Sequence, residues 1–263
     1  DGFFYSRYPA PEKGLELSVS NENHQVWYHK TGTSQQEDQL IYEDAENLLR
    51  FHIAGTDENE KFLFLIISDR SKGLDGNAIL FRNYKKDKDF KPLVAEVTND
   101  NYSIAGVSGD DIYILTNNGA PNKQLFKVNA ANPLRSNWQA IIPEQENPIR
   151  NVSIAGGKIF VSYLKDVATQ VTIYDLQGKK EKEVALPGIG NATGFNGKKS
   201  DKEVFYQFTS FNYPPTIFKY QIATGSTEVF IQPEIKFNPE DFVTNQVFYT
   251  SKDGTKVPMF LVY

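Results

Sequence analysis

Cysteine is absent from the 263 residues, which removes disulfides and thiolate metal sites. Histidine is scarce: only His24, His29 and His52 occur. A catalytic or metal role needs convergent partners, so each reads as a surface or inter-strand residue. No metal site and no cofactor are expected. A basic excess is also lacking. Lys and Arg total 28 against 33 Asp and Glu, a net charge of −5 spread along the chain. Phosphates need a basic face, so no nucleic-acid partner is expected. No apolar run approaches the length of a membrane span and no stretch reads as a secretory signal, so no membrane partner is expected. The absence of cysteine fits a cytoplasmic protein and equally a bacterial periplasmic one. The Gly-x-Ser-x-Gly elbow of serine hydrolases is missing too. Its nearest approach, Gly106-Val107-Ser108-Gly109, is one residue short and falls at an inter-strand turn, so no catalytic residue is expected in this chain.

Aromatic residues are abundant, with 19 Phe and 14 Tyr. They favour strands, and the fold class expected is all-β. Strand-like runs recur between Gly, Asn, Asp and Pro punctuation. The first group is Phe3 to Tyr8, Gln25 to Lys30 and Gln39 to Glu43. Four further groups of four strands follow, ending near Val94, Ile142, Leu186 and Ile231. In the fourth group the last strand is expected over Glu183 to Leu186, and the polar runs Lys85 to Asp89 and Lys179 to Lys182 read as solvated turns.

These groups repeat. Each opens on a small, Gly-containing strand: Ile53-Ala54-Gly55, Ile104-Ala105-Gly106, Ile154-Ala155-Gly156 and Asn191-Ala192-Thr193-Gly194. The strongly apolar second strands start near Phe62, Ile112, Ile159 and Phe205, a period of 46–50 residues. Four strands at such a period mark a β-propeller. Small residues suit strands crowding a central channel. Apolar second and third strands suit burial on both faces. The fourth strands are outer and carry or precede Pro92, Pro143, Pro187 and Pro233, which suits an edge because proline lacks the N–H donor. The first group lacks its innermost strand. The expected content is roughly four full blades, part of another and a C-terminal hairpin. That hairpin joins Val247-Phe248-Tyr249 to Val257 through Tyr263 across the turn Lys252-Asp253-Gly254.

Three stretches carry a resemblance. Ser251-Lys252-Asp253-Gly254-Thr255-Lys256-Val257-Pro258-Met259-Phe260 resembles the segment that opens the peptidase domain of prolyl oligopeptidases (prolyl endopeptidases). Glu203 to Phe211 with Pro214-Pro215 resembles a strand and loop of that family's last propeller blade, and Asp1 to Pro9 a strand of an early one. They occur in the family's order and span nearly the whole chain. The resemblance implies a partial seven-bladed β-propeller over residues 1–240 and the start of an α/β-hydrolase peptidase domain over 241–263. It implies that this chain is a piece of a longer serine peptidase, lacking the early blades and the peptidase domain. The whole protein would cleave short, proline-containing peptides after proline, its propeller capping the active site and limiting substrate size. The piece alone would be inactive, and its cut edges would invite self-association. The loop Thr116-Asn117-Asn118-Gly119-Ala120-Pro121-Asn122 resembles a family loop that faces the active site, where many members carry Arg at the position of Asn118. Asn117 and Asn118 are therefore the substrate-facing candidates, although Asn-Asn-Gly also serves a plain tight turn.

Other readings stay open. A non-catalytic propeller that binds protein or glycan would show an aromatic, Arg-rich face. A five-bladed glycosidase would need inward acids on inner strands, which here carry small and hydroxyl residues. Asp57, Asp110, Asp111, Asp166, Asp175, Asp201 and Glu203 stand mostly at turns, where Asp bonds its own backbone. Glycosylation triplets start at Asn101, Asn151 and Asn191, a pattern common by chance.

Overall fold

The computed structural model describes residues 1–15, 17–69 and 71–263. Strands account for nearly all of its regular structure, and within each sheet consecutive strands pair antiparallel. β1 (Gly2–Arg7), β2 (Gln25–Lys30) and β3 (Gln39–Tyr42) form a three-stranded sheet. Four sheets of four strands follow in chain order. The first is β4 (Arg50–Thr56), β5 (Phe62–Asp69), β6 (Ala78–Asn83) and β7 (Lys91–Val94). The next is β8 (Tyr102–Ser108), β9 (Asp111–Thr116), β10 (Gln124–Asn129) and β11 (Gln139–Ile142). Then come β12 (Ile149–Ala155), β13 (Lys158–Lys165), β14 (Ala168–Tyr174) and β15 (Lys180–Glu183). The last is β16 (Asn191–Asn196), β17 (Glu203–Thr209), β18 (Thr216–Gln221) and β19 (Thr227–Ile231). A hairpin of β20 (Thr244–Thr250) and β21 (Lys256–Val262) closes the order.

Sequence pattern explains these elements. The second strand β5 reads Phe-Leu-Phe-Leu-Ile-Ile because almost all of it is buried on both faces. β17 alternates instead, burying Val204, Tyr206 and Phe208 and turning Phe205 outward. Asp57 closes the β4–β5 turn: one carboxylate oxygen accepts the N–H groups of Lys61 and Phe62 at 2.8 and 2.6 Å.

One expected strand is displaced. The fourth strand of the fourth group is Lys180–Glu183, not Glu183 to Leu186, and the run Lys179 to Lys182 is mostly strand rather than a solvated turn. The physical reason is its place on the sheet edge, where only one neighbour is needed and alternating charge replaces apolar cover. Lys180 pairs with Glu183 at 2.6 Å, and Lys158 of β13 reaches Glu181 at 2.5 Å. Pro92 sits inside β7, an edge strand, where a residue without an N–H is tolerated.

The chain divides into two compact units, residues 1–118 with 128–138, and 119–127 with 139–263. In the first, Val26 of β2 packs with Leu65, Ile67 and Ala78, and Phe4, Ile41 and Tyr42 surround them. Each buried Leu or Ile stabilises by about 1.5–3 kcal/mol. In the second, aromatic rings form a stack from Phe160 through Phe195 and Tyr206 to Phe218, with centroids 5.7, 4.6 and 5.2 Å apart. Within that unit the terminal hairpin is anchored. Asn212 donates to the carbonyls of Pro239 and Phe242 and accepts from the Thr244 hydroxyl at 2.6 Å. Phe211 meets Phe260 of β21 at 5.1 Å, while Met259, Leu261, Val262 and Tyr263 stay exposed.

Candidate functional site

The strand β9 delivers the candidate loop. Thr116, at its end, is buried and its Oγ1 accepts the Asn118 N–H at 3.0 Å. The Asn117 side-chain oxygen accepts the Asn101 N–H at 2.7 Å. The Asn118 amide donates to Asp100 at 2.8 Å, and its oxygen accepts from the Arg135 guanidinium at 3.3 Å. Both asparagines are half-buried. Arg135 lies 4.7 Å over the ring of Trp138, whose indole N–H donates to the Pro133 carbonyl at 2.9 Å. Tyr102 meets Trp138 edge-on at 6.3 Å. Burial first, then the Asp100 charge, raises the Tyr102 phenol above its usual range, with Arg135 opposing.

Asn118 is thus a bridge between an anion and a cation. Arg135 lies 17 residues on, in a short 3-10 turn, and nothing in the local sequence ties it to Asn118. Only its neighbours Pro133 and Trp138 hint at a structured turn. In the second unit, Asn122 is spent on structure. Its N–H donates to Glu144 at 2.6 Å, its amide to the carbonyls of Gln145 and Glu146, and its own carbonyl accepts the Ile149 N–H.

The histidines fall in the inter-strand places expected. His29 Nδ1 pairs with Asp38 at 2.7 Å, and the Tyr5 hydroxyl donates to the other oxygen of Asp38 at 2.6 Å. Burial pushes Asp38 upward, but the Tyr5 and His29 hydrogen bonds and the His29 and Arg7 charges outweigh it and hold the carboxyl below its usual range. A cavity of about 310 Å³ borders this group, lined by Phe3, Tyr5, His29, Gln35 and Asp38. His24 and His52 contact each other instead. Among the described residues no three His, Cys, Asp or Glu groups gather as a metal site, and no helix is long and apolar enough to cross a membrane.

The singled-out carboxylates are used locally. Asp110 pairs with Lys61 at 2.7 Å, Asp175 caps the N–H groups of Gln177 and Lys179, Asp201 caps Lys198, and Glu203 binds Gln221. Ser108 ends β8 beside the Gly109 turn, whose carbonyl binds Lys61. This spends the Gly-Val-Ser-Gly stretch on a hairpin.

The family described as prolyl oligopeptidase, N-terminal beta-propeller domain, matches residues 1–233. Similar curated proteins include the prolyl endopeptidase of Elizabethkingia meningoseptica, 40% identical over 263 residues, covering 100% of this chain and 37% of the relative. The prolyl endopeptidase of Elizabethkingia miricola is 38% identical, covering 99% of this chain and 36% of the relative. Among solved structures, one from a study of two prolyl endopeptidases superposes with a TM-score of 0.84 at 34% identity, over 100% of this chain and 38% of the other. Apo prolyl oligopeptidase B from Galerina marginata superposes at 0.86 and 28% identity, over 99% of this chain and 37% of the other. The chain therefore spans little more than a third of the length of the relatives it matches. Four four-stranded sheets preceded by a three-stranded one, together with these matches, make the chain a propeller region of the prolyl oligopeptidase family.

Proposed function

We propose that this chain is the propeller portion of a serine-type peptidase that hydrolyses short peptides after proline. The observation that carries the reading is the 40% identity to a prolyl endopeptidase along all 263 residues. The propeller's role is to cap the active site, so that only short, extended chains reach it. Residues 1–240 are the blade portion, and 241–263 open the peptidase domain. The isolated pairing of β20 with β21 and the exposure of Phe248, Tyr249, Met259 and Leu261 support a further sheet covering that hairpin.

Asn117 and Asn118 form the substrate-facing loop. Arg135 supplies beside Asn118 the cation that the asparagine itself lacks. The compartment is the cytoplasm or a bacterial periplasm. The chain by itself self-associates through exposed apolar surface on Val229, Phe230, Ile231, Met259 and Leu261. Light scattering over a range of concentrations tests that point, and a strict monomer overturns it.

The decisive experiment extends the reading frame past Tyr263 and assays the longer protein on a proline-containing chromogenic peptide. A Gly-x-Ser-x-Gly sequence downstream and cleavage after proline support the reading. A stop codon at that point, or a protein inert towards such peptides, defeats it.

A further inference from the structure

The first two sheets are fastened by a reciprocal pair of hydrogen bonds between two histidines. The backbone N–H of His52, in β4, donates to His24 Nδ1 at 3.0 Å. In return, His52 Nδ1–H donates to the His24 carbonyl at 2.6 Å. This geometry fixes both tautomers. His24 must keep a lone pair on Nδ1, and His52 must carry its hydrogen on Nδ1. The other ring nitrogen of His52, Nε2, is buried without a hydrogen-bond partner, and the residue is 1% exposed. Ser6 of β1 adds a third tie, its hydroxyl donating to the His52 carbonyl at 2.7 Å.

A proton has no comfortable place here. On His24 Nδ1 it destroys the acceptor of the His52 N–H. On His52 Nε2 it makes a buried cation with nothing to receive its hydrogen. The surroundings offer limited relief. Tyr8 and Phe51 pack on His24 at 4.9 and 5.5 Å, and Tyr42 of β3 packs on His52 at 5.0 Å. Asp44 favours a proton on His52 and Arg50 opposes it. Arg50 is shared between Asp44 and Asp69 of β5, at 3.1 and 3.2 Å. Glu43 is occupied by the amides of Asn23 and Gln25.

We propose that His24 and His52 form an acid-released clasp between the first two sheets, closed while both rings are neutral and opened when either takes up a proton. Burial lowers the proton affinity of both rings below the usual histidine value of 6.5, and their mutual repulsion adds to this at His24. The unfolded chain therefore takes up protons first on acidification. The clasp's contribution is complete above pH 6.5 and is lost as pH falls through the lowered native values.

The test is nitrogen-15 NMR of the 263-residue chain from pH 8 to 4.5, combined with hydrogen exchange corrected for the intrinsic rate. At pH 7.5 His24 should carry its proton on Nε2 and His52 on Nδ1. Below pH 6.5 the His52 amide should lose protection several-fold, up to about tenfold, while amides of β13 hold theirs. In His24→Asn/His52→Asn, an amide oxygen and an amide N–H replace the ring atoms without titrating, and the loss should disappear. The clasp is refuted by flat wild-type protection, by an equal loss in the double variant, or by a proton on His24 Nδ1 at pH 7.5. The tautomer and wild-type exchange decide the matter even where the double variant does not fold.

Discussion

Phe195 lies face to face with Tyr206, ring centroids 4.6 Å apart and planes 9° apart, while its backbone holds a left-handed φ of 62°. A large residue in that region carries strain, here offset by the stack and by the Ser153 hydroxyl, which donates to the Phe195 carbonyl at 2.7 Å. The neighbouring Gly194 has φ +114°, and a Cβ there would lie 2.7 Å from the Phe205 carbonyl oxygen. Gly194→Ala should destabilise the chain by about 2–4 kcal/mol in urea unfolding. Ser153→Ala, which removes a hydrogen bond to the carbonyl of the buried Phe195, should cost about 1–3 kcal/mol. A neutral outcome at Gly194 would mean that the β16 bulge relaxes freely.

Val167 gives the opposite sign. Asp166 and Val167 join β13 to β14 in a two-residue turn, with φ of 48° and 67°. A β-branched residue is poorly suited to positive φ, and Val167 is 61% exposed, so its side chain contributes little packing. Val167→Gly should stabilise by about 0.5–1 kcal/mol, read as a higher urea midpoint with unchanged slope. A lower midpoint would show that the valine has packing value outweighing its strain.

Alkaline pH should also act on the second unit. Tyr163 and Tyr174 share a hydrogen bond of 2.8 Å, joined by Gln145. Burial first, then Tyr174, pushes the Tyr163 phenol well above the usual 10.0. Above pH 10 the unfolded chain loses this proton while the native one keeps it, so stability should fall as pH rises beyond 10. Tyr163→Phe should flatten that fall. A thermal midpoint equally sensitive in both proteins would place the alkaline lability elsewhere.

In the longer protein, Asn118→Ala should raise KM for peptides more than it lowers kcat, by about 0.5–1.5 kcal/mol. Arg135→Gln should act in the same direction, because it removes the charge held on the Asn118 oxygen. Unchanged kcat/KM for several peptides in both variants would return the loop to a purely turn-forming role. The 263-residue chain itself should turn over no proline-containing chromogenic peptide, in line with its missing nucleophile elbow.

Much of this architecture was legible because a propeller writes its repeat into residue size. β2 falls at the bounds expected, and β5, β9, β13 and β17 begin within two residues of Phe62, Ile112, Ile159 and Phe205. Edge strand β15 escaped because Lys-Glu-Lys-Glu has no apolar signal; only pairing with β14 makes it a strand. Asn117 and Asn118 stand out only by likeness to a family loop. The Arg135 and His24–His52 contacts leave no such trace, because residues 17 and 28 positions apart meet only after folding. Nor does any local propensity announce a left-handed phenylalanine. Phe195 adopts that backbone within the aromatic stack of its unit.

The sheets are each laid down from strands in chain order. Their backbone pairings accordingly span short lengths of sequence, often a single hairpin turn, which keeps loop-closure entropy small. Each sheet can assemble from material already at hand during synthesis, before the following one exists. What must wait is the meeting of faces, such as Val26 with Leu65 or Phe160 with Phe195, across longer stretches of chain. Early refolding kinetics should therefore be set within sheets, and the late, slower phase by the burial of aromatic faces between them.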